Sequence, residues 1–129
     1  MGGKLIYEEL SYKLRGVFFG VHNEIGQYRN EKQYCDAIEF KLKLLGIKFQ
    51  REFVLPISFD GERKGRSRVD FLVENKVIIE VKCVPCFSRN DYFQSLRYLV
   101  SSGKDLLLLV NFHPKYCHIK RILNPNLIK

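Results

Sequence analysis

Residues 69–82 read VDFLVENKVIIEVK, two short apolar runs separated by Glu74-Asn75-Lys76. Runs rich in Val and Ile and broken by turn-forming residues predict two paired strands inside a sheet. Asp70, Glu80 and Lys82 interrupt that apolar pattern with charge. If Glu74-Asn75-Lys76 is the loop, Val73 pairs with Val77, and Asp70 and Glu80, equally far from the turn, face each other. Directly opposed side chains have Cβ atoms about 4.5–5.5 Å apart, and like charges so placed repel. Alternation along the strand puts Lys82 on the same face as Glu80. Any fold of this chain has to accommodate that pair of acids.

Three compensations are open. The two carboxyls can share a proton. Lys82 and Arg68 can hold both as an ordinary salt-bridged sheet edge. A divalent cation can lie between them, since Mg²⁺ binds a few carboxylates and keeps several waters. The cation best explains why both acids are present, because Arg68 and Lys82 do not require a second one.

The surrounding pattern is that of a small α/β domain. A helix is expected from Leu10 to Glu24, with Leu10, Leu14, Val17 and Val21 on one stripe and Gly26 at its C-terminal cap. Asn30 and Gln33 form a capping-box signature for a second helix that stops at Gly46. Its apolar stripe is Tyr34, Ile38, Leu42 and Leu45, and one step back along it lies Glu31, which predicts an inward-facing carboxylate. FVLPISF (53–59) reads as a strand, on an edge or bulged because of Pro56. After the hairpin, Ser88 and Asp91 cap a third helix ending at Gly103, and LLLLVNF (106–112) is a strand buried on both faces. YCHIKRI (116–122) supplies a final edge strand. On the third helix, Gln94, Tyr98 and Ser101 share one polar stripe. The order helix, helix, three strands, helix, strand describes an α/β sandwich: an antiparallel meander continued by a strand returning through a helical crossover.

Composition sets the outer limits. A chain of 129 residues, 46% hydrophobic and 28% charged, is long and apolar enough for one packed domain over 1–129 and is not a disordered segment. Its formal charge of +8 favours a polyanionic partner, nucleic acid or an acidic membrane surface. No apolar run approaches the roughly 18 residues of a membrane span, and MGGKLIYEEL has no signal-like apolar stretch, so a cytoplasmic protein is expected. Cys35, Cys83, Cys86 and Cys117 then read as free thiols. Cys83-Val-Pro-Cys86 with Cys117-His118 offers four zinc donors on paper, but Cys83 continues a strand and packing is the better reading.

Asp70 followed by Glu80-Val81-Lys82 resembles the D…ExK core of the PD-(D/E)XK nuclease superfamily. More narrowly, GVFFGVHNEIG, Glu31-Lys32-Gln33-Tyr34, RVDFLVENKVIIEVK, QSLRYL and LLLLVNF, in that order from about Ser11 to Ile122, resemble the small GxxExxY proteins of that superfamily. Tyr28 stands where that pattern has Gly, and Val69 where the superfamily name has Pro. The resemblance implies a restriction-endonuclease-like αβββαβ core, a mixed central sheet flanked by helices. It also implies a metal-dependent nuclease, expected to be an endonuclease acting on DNA in preference to RNA. Asp70, Glu80 and the carbonyl of Val81 would ligate Mg²⁺ or Mn²⁺, with Glu31 reaching the same or a second ion. Such an ion lowers the pKa of the attacking water and screens charge growing on phosphorus. Lys82 would hold that water or the scissile phosphate, and Gln94 and Tyr98 would orient them. Arg63, Lys64, Arg66 and Arg68, with Lys115, Lys120 and Arg121, are the expected phosphate contacts, which confer salt-dependent affinity and no sequence specificity. Two alternatives remain: a non-catalytic nucleic-acid or protein-binding module on the same fold, and a homodimeric resolvase of branched DNA.

Overall fold

The computed structural model describes residues 6–127; the ends of the expected 1–129 domain, residues 1–5 and 128–129, lie outside it. Two helices come first, α1 (Glu8–Ile25) and α2 (Glu31–Leu44). Strands β1 (Phe49–Val54), β2 (Arg68–Val73) and β3 (Val77–Lys82) follow, then helix α3 (Arg89–Ser102) and strands β4 (Leu106–Asn111) and β5 (His118–Leu123). The sheet runs β1-β2-β3-β4-β5. Every neighbouring pair is antiparallel except β3 and β4, which α3 connects as a crossover and which lie parallel. The expected mixed sheet flanked by helices is the observed one, and the C-terminal segment forms the expected edge strand β5. Among the described residues no helix is long and apolar enough to cross a membrane.

Period-2 alternation divides the core into two layers. Phe71, Val73, Val77, Ile79 and Val81 project towards α1 and α2, where Leu14, Val17, Phe18, Val21, Tyr34 and Ile38 meet them. Leu72, Ile78, Leu107 and Leu109 project the other way, under Leu99 of α3. β4 is buried at every position, as its unbroken apolar run requires. Both capping boxes form: Asn30 with Gln33 opens α2 and Ser88 with Asp91 opens α3.

β1 differs from expectation. It begins at Phe49, so only Phe53 and Val54 of FVLPISF belong to it, and Pro56, with no N–H to donate, lies in the loop that follows. The strand was hidden because three consecutive polar residues, Gln50, Arg51 and Glu52, separate Phe49 from Phe53 on a half-buried edge and look like surface residues in sequence.

The link between α1 and α2 positions the first turn of α2. Tyr34 is fully buried, stacks on Phe112 with ring centroids 4.3 Å apart, and donates its hydroxyl to the Gly26 carbonyl. His22, also buried, holds the β4–β5 loop through Nε2, 3.2 Å from the Phe112 carbonyl oxygen and 3.0 Å from that of Pro114. Between them Tyr28 has φ 71°, the left-handed conformation that a glycine adopts without strain. Its side chain is 96% exposed, so no packing offsets the strain. Tyr28→Gly is therefore expected to stabilise the protein by about 1 kcal/mol, the relieved strain exceeding the added chain entropy of glycine. Denaturant melts of the two proteins check this; a destabilised variant would show that the Tyr28 ring is anchored.

Candidate active site

The hairpin pairs in the expected register, Val73 with Val77, Leu72 with Ile78 and Phe71 with Ile79, and there the ladder stops. At the next row, Asp70 and Glu80, the strands part. Asp70 Oδ2 accepts the Val81 N–H at 2.7 Å, taking the place of a β2 carbonyl. The neighbouring pairing lapses at the same level, since the β1–β2 ladder has Arg51 with Phe71 and Phe53 with Val69 but no bond across Glu52 and Asp70. Glu52 has φ 52°. On one side of this row Phe49 and Phe71 face α1 and α2; on the other, Phe53 and Val69 face the α3 layer. Asp70 therefore stands where both strands exchange faces, and its carboxylate is felt from both layers. It raises the pKa of Cys35 on α2 and of Tyr98 on α3, in each case second to or behind burial itself.

Glu80 is 7% exposed, on the α3 face of β3. Burial, reinforced by the Asp70 carboxylate and a hydrogen bond to it, pushes its carboxyl up to about 9. Of the three compensations open in the sequence, the shared proton is the one this raised pKa favours in the chain without an ion. The salt-bridged arrangement does not form: Arg68 reaches Glu52 at 3.4 Å, and Lys82 Nζ lies 3.2 Å from Gln94 Oε1 and 3.7 Å from Asp91 Oδ1. Lys82 is nonetheless on the face of Glu80, as alternation requires, and its charge lowers the pKa of both Glu80 and Glu31.

Glu31 departs from expectation in one respect. It is exposed rather than inward-facing, because the buried stripe of α2 begins only at Tyr34. It still hangs over the fork, sharing a cleft of about 180 Å³ with Cys35, Arg68 and Asp70. Partial burial raises its pKa, Lys82 opposes that, and Asp70 adds to it. Gln94, Tyr98 and Ser101 line one wall of a larger cleft on the α3 side, as their common stripe predicts.

The expected phosphate contacts divide. Arg66 lines the α3-side cleft, Arg68 the cleft with Asp70, and Arg63 the loop beside them. Lys64 is exposed in the same β1–β2 connection. Lys120 pairs with Leu109 and Leu109 with Glu80, so Lys120 lies on the face of Glu80, two strands or about 10 Å away. Lys115 is in the β4–β5 loop, its ammonium over the Tyr116 ring. Arg121 requires correction. One residue along from Lys120, it points to the opposite face, where it donates to Ser11 Oγ at 2.7 Å and to the Ile6 carbonyl at 2.9 Å, fastening β5 to α1.

Two residues that position the site went unrecognised in sequence. Asp91 was legible only as a cap, yet its second carboxylate oxygen reaches Lys82. Asn111 is fully buried, pairs with Lys82, and binds Val84 through both its amide atoms, Oδ1 accepting at 3.1 Å and Nδ2 donating at 2.8 Å. It thereby fixes the end of β3. A polar residue closing the apolar run LLLLV was the available signal. The cysteines are all free, with Cys83 and Cys117 packed at the α1–α2 core.

The family model of the PD-(D/E)XK nuclease superfamily matches residues 8–122. The chain belongs to that superfamily. Among solved structures its fold is similar to an alkaline exonuclease (LHK-Exo) from Laribacter hongkongensis, with a TM-score of 0.54 at 12% identity over 97% of this chain and 74% of that one. No curated protein matches it. PD-(D/E)XK nucleases use divalent metals, and the donors at the fork suit a hard cation: Asp70 and Glu80, close enough for the one carboxylate to raise the pKa of the other, beside the Val81 backbone that Asp70 holds. Among the described residues no three His, Cys, Asp or Glu side chains form a ready cluster, so the fit is to an ion that keeps most of its waters.

The raised pKa of Glu80 makes stability depend on pH with a definite sign. The folded protein binds the proton up to about pH 9, the unfolded chain only to about 4.5, so without a divalent ion stability falls as pH rises between those values. Glu80→Gln keeps a hydrogen-bonding group without the proton. In EDTA it is expected to flatten that slope and to melt above the parent by a larger margin at pH 8 than at pH 5. Thermal melts at pH 5 and pH 8 measure this, and parallel slopes for the two proteins would refute the assignment.

Proposed function

We propose that this protein is a Mg²⁺- or Mn²⁺-dependent nuclease that hydrolyses phosphodiester bonds in DNA, as an endonuclease. The observation that carries the reading is the fork itself: two acids brought together against electrostatic repulsion, with a lysine on their face, in a chain of the PD-(D/E)XK superfamily. Asp70, Glu80 and the Val81 carbonyl would hold the ion, and Glu31, which lines the same cleft as Asp70, would join through a water. The ion, when bound, lowers the pKa of the attacking water and screens charge on the phosphate.

The chain's own groups supply the rest. Asp70, fixed by the Val81 N–H through one oxygen, keeps its other oxygen for the ion. Glu80 must release its proton before it can ligate, so ion affinity is expected to rise with pH up to about 9 and then level. Lys82, held in place by Gln94 and Asp91, presents its ammonium to a phosphate oxygen or to the water. Because its partners sit on α3 and its strand end is pinned by Asn111, little reorganisation accompanies charge development. Arg66, Arg68 and Lys120 would draw the polyanionic backbone onto this face.

A cleavage panel of single-stranded, duplex and junction DNA and RNA, with Mg²⁺, Mn²⁺ or EDTA, tests the proposal. Asp70→Asn retains an acceptor for Val81 but loses the charge; it and Lys82→Ala are each expected to lower the rate by about 10²-fold or more. Cleavage that survives both substitutions, or that proceeds in EDTA, would sink the mechanism. Tight binding without cleavage of any substrate would favour the non-catalytic module, and cleavage confined to junctions the resolvase.

A further inference from the structure

Beside the fork, on the α3 side, α3 and the β1–β2 connection enclose a cleft of about 720 Å³. Gln94 and Tyr98 line it, and Gln94 accepts from Lys82 at 3.2 Å, which joins the cleft to the proposed catalytic face. Two phenylalanines also line it, Phe59 from the connection, 62% exposed, and Phe93 from α3, 46% exposed. Arg66 and Arg97 bring positive charge to the same lining. Glu62, the acid in this lining, is turned into its own loop, where it accepts from the Ser58 N–H at 2.7 Å and the Ser58 hydroxyl at 3.0 Å.

An exposed phenylalanine gains nothing from a phosphate or from the outside of a duplex, whose bases are already stacked on one another. It gains much from an unpaired base, whose flat face it can cover. Stacking on aromatic side chains within a positively charged groove is how proteins hold single strands irrespective of sequence, and arginine adds a cation–π contribution. The volume falls within the range of small-ligand sites, roughly 300–1,000 Å³. Resting on the nuclease reading above, we infer that this cleft is a nucleobase site: it takes an unstacked base of the nucleotide next to the scissile phosphate, so the preferred substrate is single-stranded or locally unpaired nucleic acid. Phe59 and Phe93 are then the residues that distinguish unpaired from paired strands, while Arg66 and Arg97 contribute to affinity for both.

The test measures binding apart from turnover. A short phosphorothioate DNA strand containing 2-aminopurine, free or annealed into a blunt duplex, is titrated with the protein in Mg²⁺ and in EDTA. Quenching of 2-aminopurine is expected for the single strand. Phe59→Ala and Phe93→Ala should each weaken single-strand binding by about 5- to 150-fold and duplex binding by less than about twofold, with Phe59→Trp restoring the single-strand affinity. Arg97→Ala should weaken both forms and reduce the salt dependence. Thermal melts confirm that the Phe59 and Phe93 variants fold, as the exposure of both rings leads one to expect. Equal losses on single strand and duplex, or no loss on either, would overturn the nucleobase site while leaving the nuclease reading intact. So would a change in sedimentation of Phe59→Ala without DNA, which marks a protein contact. A parent protein that binds neither form would overturn both.

Discussion

A continuing ladder would deliver the Val81 N–H to a carbonyl of β2; in this protein it goes to the side chain of Asp70, at 2.7 Å. That substitution lets the two central strands separate without leaving a buried donor unsatisfied, which in a sheet interior would cost on the order of 1–3 kcal/mol. The separation is what makes a site possible. In a closed sheet the residues on its two faces are screened from each other by the backbone. At the fork, α2 on one side and α3 on the other both reach the same carboxylates, as the influence of Asp70 on Cys35 and on Tyr98 records.

The rest of the fold protects that opening. β4 is buried along its whole length and holds β3 in a full parallel register up to Lys82 with Asn111. β3 is therefore rigid on one edge while its other edge comes free. Asn111 then secures the chain beyond Lys82 through Val84, and the capping box of α3 places Asp91 and Gln94 where they meet the Lys82 ammonium. Across the sheet, the Tyr34 hydroxyl on the Gly26 carbonyl sets where α2 begins, and Glu31 lies one turn before it. Each charged group is thus positioned by a polar contact made elsewhere by its own element.

Much of this was legible in the sequence because the rules involved are periodic and local. A three-residue loop fixes register, register fixes which acids oppose, and alternation fixes the face of Lys82. The two capping boxes and the polar stripe of Gln94 and Tyr98 are equally local. What was not legible depends on departures from periodicity or on partners remote in sequence. Phe49–Glu52 looks polar because an edge strand is half solvated. The exchange of faces at Glu52 and Asp70 has no composition signal, and in a regular sheet Glu31 would need a buried position to approach the acids. Lys120 and Arg121 look alike in sequence, and only strand parity separates the one on the face of Glu80 from the one that fastens β5 to α1.

The proton on Glu80 links the fold to the chemistry proposed for it. Glu31, Asp70, Glu80 and Asp91 surround a single lysine in a chain whose overall charge is +8, so the local field opposes the global one. A buried acid in such a field has two remedies, to keep its proton or to gain a cation, and they exclude each other because a ligating carboxylate must be ionised. Replacing Glu80 by a neutral group would therefore favour the protein without a divalent ion and impair the protein that holds one. A chain selected only for stability has a reason to lose this acid; a chain that binds a divalent ion has a reason to keep it. The charge among the valines and isoleucines of VDFLVENKVIIEVK is a structural liability that cation binding turns to use.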